Sequence, residues 1–457
     1  MRCLSLANHL SFLGWECVFR VSEETLSTMP VLGRSGHRVV APDEEMSADL
    51  AVIDDYGWGA ERERACRPWA RRILVIDDLA DRRHDADFLV DQTLGRQPSD
   101  YAALVPDGCD IRTGAAMALL RPEFAAERSR SISRRTGLDA IGRVLINIGA
   151  TDPSGLTPKV LTNVASALPH ADIDVVLGSR APPLEKVRAL ADELGGRAVL
   201  HVDSNHMAEL TAAADLAIGA AGSASWERCC LGVPTLMLVT AANQTMVARS
   251  LLKAGAALVA ADENELPDLI ASLDANSLTR MSARAAALCD GRGTQRVSCA
   301  LAGTVESAVG GGVCLRLAED GDCERILDWQ RHPATRRFAR NPAVPTPEEH
   351  RAWFTRKLAD DQAVMCLVEG RDGPVGVLRL DRLAGEVTAF EVSIFTAPDH
   401  HGRGYGRAAL ELADRLVPDA MLHAEVLPEN AASRRLFERG GYVQTGPRHY
   451  VRSPTDR

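Results

Sequence analysis

The 457-residue sequence has no run of 18 or more apolar residues, so no segment reads as a bilayer-spanning helix and no membrane insertion is expected. Its eleven cysteines include the adjacent pair Cys229-Cys230 but no Cys-x-x-Cys. An odd count at irregular spacing argues against a disulfide framework and against a metal site, and predicts reduced thiols in a cytoplasmic protein. The opening residues, MRCLSLANHLSFLGWE, lack a charged segment followed by a clean apolar stretch and a small-residue cleavage site, so no signal peptide is read. An excess of positive charge is missing too. The 52 Lys and Arg stand against 62 Asp and Glu, a formal charge of -10, which disfavours a nucleic-acid partner. No repeat of fixed period is found. A chain of this length needs two or more cores.

What is present falls into three stretches. Up to about residue 125, short apolar runs end in acidic residues, as in ADLAVIDDY (48–56) and RRILVIDDLA (71–80). Such runs, rich in Val and Ile, suit strands buried on both faces of a parallel sheet. The charged, serine-rich ERSRSISRRTG (127–137) reads as a linker. A second unit follows, with strands expected at 144–150, 173–179, 216–221 and 234–239 and helical patterns at 156–168, 183–194, 206–214 and 243–255. This alternation argues for a parallel, doubly wound sheet. At ESAVGGG (306–312) three successive glycines suit neither a helix nor a strand interior and mark a boundary. The expected fold is α/β, with Rossmann-like domains at 1–126 and 138–305, a linker at 306–312 and an α+β domain at 313–454.

In the last stretch, EVSIFTAPDHHGRGYGRAALELADRLV (391–417) runs strand, glycine-rich loop, helix. The loop is His401-Gly402-Arg403-Gly404-Tyr405-Gly406, and the helix starts near Arg407. Glycines there let N–H groups close on a diphosphate without Cβ obstruction. The helix N-terminus adds partial positive charge, which Arg403 and Arg407 reinforce. A second segment, HAEVLPENAASRRLFERGGY (423–442), breaks a strand at Pro428 and opens a helix after Asn430. Asn430 reads equally as that helix's N-cap.

Together the two segments resemble the acetyl-CoA motifs of GNAT N-acetyltransferases, over nearly all of 313–454. The resemblance implies acetyl-CoA as co-substrate, held by residues 401–407 and Asn430, and direct attack of a substrate amine on the thioester. His401 stands where the family carries Arg or Gln. Phe437 stands where members often carry a tyrosine that protonates the thiolate, and phenylalanine has no proton to give. The amine must lose a proton, and Glu391 is the candidate base, with a paired structural glutamate as the competing reading. Arg336, Arg337 and Arg340 are expected either to meet a diphosphate or to form a solvated helix face.

The earlier stretch LAIGAAGSASWERCCLGVP (216–234) also runs strand, glycine loop, helix. Gly222 and Ser223 fall at the helix N-terminus, where phosphate is favoured. Glu227, one turn along, is placed to accept from ribose hydroxyls. Asn243 and Gln244 open the next helix, as sugar contacts or as caps. With Asp54-Asp55-Tyr56, Asp77-Asp78-Leu79, Leu120-Arg121-Pro122-Glu123-Phe124 and Gly149-Ala150-Thr151-Asp152, these words resemble the UDP-sugar hydrolases of pseudaminic acid biosynthesis. That family is GT-B-like. The resemblance implies that Gly222, Ser223 and Glu227 hold UDP, that Gly149 lies near the diphosphate, and that Asn243 and Gln244 lie near the sugar. It also implies a first strand followed by Gly-x-Gly-His-x-x-Arg. Only that motif's arginine, at Arg2, falls within the sequence, so the first strand is missing, the hydrolase site is expected to be incomplete, and a start read too late is the favoured explanation.

The two resemblances imply consecutive steps on one substrate, a UDP-linked amino sugar. The expectation is a bifunctional enzyme that N-acetylates a UDP-4-amino-4,6-dideoxy sugar and hydrolyses UDP from the diacetamido product. The competing expectation is an acetyltransferase for another amine, preceded by a non-catalytic nucleotide-sugar module. No metal or redox cofactor is implied.

Overall fold

The computed structural model describes residues 1–385 and 387–454. The chain divides into two compact units. One is Met46–Thr294 with Arg2, and the other is Cys3–Glu45 and Gln295–Arg457 with Met1. The first elements are a helix, Arg2–Phe12, and a short parallel pair, β1 (Val18–Arg20) and β2 (Arg38–Val40).

The unit Met46–Thr294 is built on two parallel sheets. In the first, β3 (Ala48–Ile53), β4 (Ala70–Ile76), β5 (Phe88–Asp91) and β6 (Asp110–Thr113) lie side by side in chain order. Ile73, Leu74, Val75 and Ile76 of β4 are all buried, as a non-alternating apolar run requires when both faces are covered. The second sheet contains β7 (Arg143–Asn147), β8 (Asp172–Leu177), β9 (Ala198–Val202), β10 (Leu216–Ala220), β11 (Thr235–Leu238) and β12 (Ala257–Ala260). Its order is β12-β11-β10-β7-β8-β9, so the winding reverses between the central neighbours β7 and β10. One apolar cluster, with Val160, Val164 and Val187, and another, with Phe124, Trp226 and Leu251, fill its core. The sequence pattern marks four of these six strands; the edge strands β9 and β12 are additional.

The stretch expected as a linker at 127–137 is instead mostly helix, within Pro122–Arg134. Its inward-facing polar residues bind the carbonyls that end neighbouring helices. Arg128 donates to the carbonyls of Ala286 and Cys289 at 2.7 and 2.9 Å, and Ser131 Oγ to that of Leu231 at 2.7 Å. The fully buried Arg135 donates to the carbonyls of Ser131, Thr211, Ala212, Ala214 and Leu231. Helix C-termini leave such carbonyls without partners, so Arg128 and Arg135 satisfy backbone, while Arg130 faces solvent.

The other unit carries a mixed sheet of β13 (Thr304–Glu306), β14 (Gly312–Leu317), β15 (Ala363–Gly370), β16 (Gly373–Arg382), β17 (Ala389–Thr396), β18 (Met421–Glu425), β19 (Val443–Gln444) and β20 (His449–Arg452). The order is β13-β14-β15-β16-β17-β18-β20-β19. Every pairing is antiparallel except β17 with β18. The segment expected as a linker at 306–312 is the turn of a hairpin, because β13 pairs with β14 and Ser307 N–H closes on the Gly311 carbonyl at 3.1 Å. Residues 3–45, expected within a domain spanning 1–126, group with this unit. Trp15 Nε1 donates to the Leu416 carbonyl at 3.0 Å, and the Phe12 ring meets Phe390 edge-on at 5.8 Å.

Burial leaves the Arg135 guanidinium with a pKa lowered to about 10, with Arg134 adding to the shift. Arg135→Ala is expected to lower the stability of Met46–Thr294 by about 2–4 kcal/mol, since buried carbonyls lose their donors. Urea denaturation followed by circular dichroism checks this, with the exposed Arg130→Ala as a control expected to change little.

Candidate functional site

In Met46–Thr294 the polar residues of interest follow the C-terminal ends of parallel strands, where ligands collect in open α/β sheets. Gly149 comes two residues after β7 and Gly222 two after β10, so they flank the point where the winding reverses. Gly149 has φ +128°, a conformation that disfavours a side chain. Ser223 caps the seven-residue helix Ala224–Cys230 without a side-chain hydrogen bond. Below it a small cavity is lined by Leu145, Asn147, Met207, Ala217 and Glu227. Burial raises the Glu227 carboxyl above its usual range, and Arg121, 3.9 Å away, and Arg228 oppose that shift.

Asn243 and Gln244 separate in role. Gln244 Oε1 accepts from the N–H and hydroxyl of Thr240 at 2.9 and 3.1 Å, so its carbonyl closes a turn. Asn243 Nδ2 reaches the Tyr56 hydroxyl at 3.2 Å. That hydroxyl donates to Asp78 Oδ2 at 2.9 Å, and Arg2 bridges Asp78, at 2.9 Å, and Asp54, at 2.5 Å. Burial lowers the Arg2 pKa, but the two carboxylates outweigh it and leave it raised. Burial, and then the charge of Asp78, raise the Tyr56 pKa, keeping the phenol protonated. The chain Arg2, Asp54, Asp78, Tyr56, Asn243 links the ends of β3 and β4 to the loop after β11. No local pattern signals it, because Tyr56 and Asn243 lie 187 residues apart.

In the other unit, β17 pairs with β18 over Ala389–Glu391, whereas its opposite edge pairs with β16 over Phe390–Thr396. Beyond Glu391 the two strands have no recorded pairing among the described residues, and this unpaired stretch forms a wedge between them. The helix Tyr405–Leu416 begins beyond the C-terminal end of β17, capped by Gly404 at φ +85°, with Gly402 at φ +75° before it. Among the described residues no acceptor is recorded for the N–H groups of 402–406. His401 Nε2 lies 3.2 Å from the Thr396 carbonyl, while Arg403 and Arg407 are exposed. The ring of Tyr405 packs edge-on to His400 at 5.6 Å. Asn430 Oδ1 accepts from Ser433 N–H at 3.0 Å, so the N-cap is formed. Phe437 is buried, its ring 4.9 Å from that of Tyr442.

Glu391 sits where the pairing of β17 and β18 stops, in an ion pair with Arg340. Of the three arginines, Arg336 holds the carbonyls of Asn341 and Ala343 at 2.9 and 2.8 Å, and Arg337 lies over the Phe338 ring at 5.2 Å. Neither reading made of them from sequence describes Arg336, which ties its own loop together.

Residues 313–443 match the family described as acetyltransferase (GNAT) domain. The chain is thus an α/β protein with a GNAT acetyltransferase domain and both parallel and mixed sheets. Ahead of that domain it is homologous in part to the UDP-2,4-diacetamido-2,4,6-trideoxy-beta-L-altropyranose hydrolase of Campylobacter jejuni, 26% identical over 260 residues, covering 56% of this chain and 90% of the relative. An uncharacterized protein of Methanocaldococcus jannaschii is 22% identical over 97% of this chain and 93% of its own. Among solved structures, the spermidine N-acetyltransferase of Vibrio cholerae in complex with CoA and spermine covers 30% of this chain and 91% of its own, at 21% identity and a TM-score of 0.27. GNAT-fold neighbours are solved with CoA or acetyl-CoA bound. No helix among the described residues is long and apolar enough to cross a membrane.

A Cβ on Gly404 would lie 2.5 Å from Ala308 Cβ, at a φ that already disfavours one. Gly404→Ala is expected to displace the loop, at about 1–3 kcal/mol. The expected readout is loss of the thermal shift that CoA gives the wild-type chain.

Proposed function

We propose that the GNAT unit transfers acetyl from acetyl-CoA to the amine of a UDP-linked 4-amino-4,6-dideoxy sugar. In the same proposal, Met46–Thr294 is a GT-B-like nucleotide-sugar site that releases UDP from the diacetamido product. The observation that carries the reading is the wedge between β17 and β18 opening toward a glycine-rich helix N-terminus. An extended thioester fits such a wedge, because the free edge of β17 offers backbone hydrogen bonds and the N–H groups of 402–406 face the diphosphate.

In this reading the acceptor nitrogen attacks the thioester carbonyl carbon. The N–C bond forms, the C–S bond breaks, and CoA leaves as thiolate. The proton lost by nitrogen goes to Glu391, directly or through water. Phe437 cannot reprotonate the sulfur, so that proton comes from solvent. His401, Arg403, Tyr405, Arg407 and Asn430 complete the cofactor site. In the nucleotide-sugar site, Gly149, Gly222 and Ser223 take the diphosphate and Glu227 the ribose hydroxyls. Asn243 faces the sugar together with Tyr56, and Gln244 shapes the turn beside it. The partial homology to the Campylobacter hydrolase supports this half of the proposal.

A mass-spectrometric time course of the full chain with acetyl-CoA and a UDP-4-amino-4,6-dideoxy-HexNAc tests both halves. The acetylated UDP-sugar is the expected product of the GNAT unit, and UDP appears beside it only if the hydrolase site is complete. Glu391→Gln is expected to lower kcat about 100-fold or more while CoA affinity holds. Tyr56→Phe is expected to slow UDP release and to leave acetylation intact. Acetylated UDP-sugar accumulating without UDP would reduce Met46–Thr294 to a binding module. Acetyl transfer to a peptide N-terminus or another small amine, but not to the sugar, would overturn the acceptor assignment.

A further inference from the structure

The face of the sheet opposite the helix Tyr405–Leu416 carries a row of half-buried polar side chains. Strand alternation puts Phe390 and Val392 of β17 and Leu422 and Ala424 of β18 on the buried side, and Glu391, Ser393, His423 and Glu425 on the other. Glu391 and His423 are register partners, so Glu391 and Glu425 stand on adjacent strands where the wedge opens. The neighbouring Asp381 of β16 has two cations of its own, Lys357 at 2.8 Å and Arg379 at 2.6 Å.

Glu391 and Glu425 are served differently. One guanidinium bridges them, with Arg340 Nε 2.9 Å from Glu425 and Arg340 Nη2 against Glu391. Among the described residues the other cation near them is Arg448, 4.0 Å from Glu425. Arg340 belongs to neither strand. It lies in the loop after the helix Pro333–Arg336, which Arg336 holds in shape through the carbonyls of Asn341 and Ala343. Half of the Arg340 side chain is exposed, against about a quarter of each glutamate. A solvated arginine thus reaches inward to two less exposed carboxylates beside the wedge. Bridges with an exposed partner are weak and easily exchanged.

We propose that Glu391 and Glu425 together form the cation subsite for the acceptor amine, and that Arg340 fills this subsite until the acceptor displaces it. A primary amine arrives as an ammonium, the same charge as the guanidinium, and replaces it between the same oxygens. Glu425 is then a positioning residue that holds the ammonium, and Arg340 sets how strongly an acceptor must bind to enter. This rests on the reading of Glu391 as the base of an acetyltransferase, but displacement can be read without turnover.

The test uses the full chain with Arg340→Ala, Glu425→Gln and the double variant. Methylguanidinium, followed by saturation-transfer NMR of its methyl protons, is the probe. It is expected to bind Arg340→Ala and to be lost in the double variant. In acetyl transfer to the UDP-amino sugar, Arg340→Ala is expected to lower the acceptor KM about two- to tenfold with kcat unchanged. Glu425→Gln is expected to raise that KM with CoA affinity unchanged. Methylguanidinium failing to bind Arg340→Ala, or an acceptor KM that rises in Arg340→Ala, would overturn the proposal; the latter would make Arg340 a direct ligand of an anionic group. If no acetyl transfer to the sugar occurs but methylguanidinium binds as described, the acceptor assignment fails and the cation subsite stands.

Discussion

At Phe390 and Glu391 strand β17 is paired on both edges, and from Val392 onward pairing is recorded to β16 alone among the described residues. A parallel neighbour that leaves part-way strips one edge of its hydrogen-bond partners, and backbone groups kept from both protein and water are costly. The free edge is therefore available to a ligand that can hydrogen-bond along it, as the proposed thioester site requires. The glycine loop at 402–406 is similar, because Gly402 and Gly404 are left-handed and no acceptor is recorded among the described residues for its N–H groups before the helix begins. In the proposed acetyltransferase site the backbone supplies the main contacts and the side chains at the mouth of the wedge add selectivity.

The unit Met46–Thr294 meets the same problem at the ends of its parallel strands, with different means. There the unpaired ends sit between two sheets' worth of loops, and side chains close the gap. Arg2 pairs with two aspartates, one of which takes the Tyr56 hydroxyl, which in turn meets Asn243. Each group in that chain is oriented by the next, so the phenol and the amide are set in place by charge rather than by rotamer preference alone.

The sequence reveals these features unevenly. The unbroken apolar runs of β4, β10 and β11 and the glycine loops at 222 and 402–406 are legible because one short window contains the whole signal. The edge strand β9 is not, since AVLHV is half-exposed over most of its length, and β12 has only four residues. The stretch 127–137 misleads because its arginines and serines suggest solvent, whereas Arg128, Ser131 and Arg135 bind helix-terminal carbonyls that only the fold supplies. Contacts between distant positions leave no trace in composition. Arg340 and Glu391 are 51 residues apart, and nothing in either neighbourhood marks the pair.

The hairpin of β13 and β14 bears on how such proteins can be assembled from parts. Its turn places Ala308 directly against Gly404, and β13 covers the outer edge of β14. The segment matching the acetyltransferase family starts at residue 313, inside that hairpin. The portable portion of the GNAT unit therefore begins earlier than the matched segment does. A recombination joint placed at 313 would expose a sheet edge and remove the side chain that packs on the glycine loop. The stretch between the two homologous segments has become part of the fold it introduces.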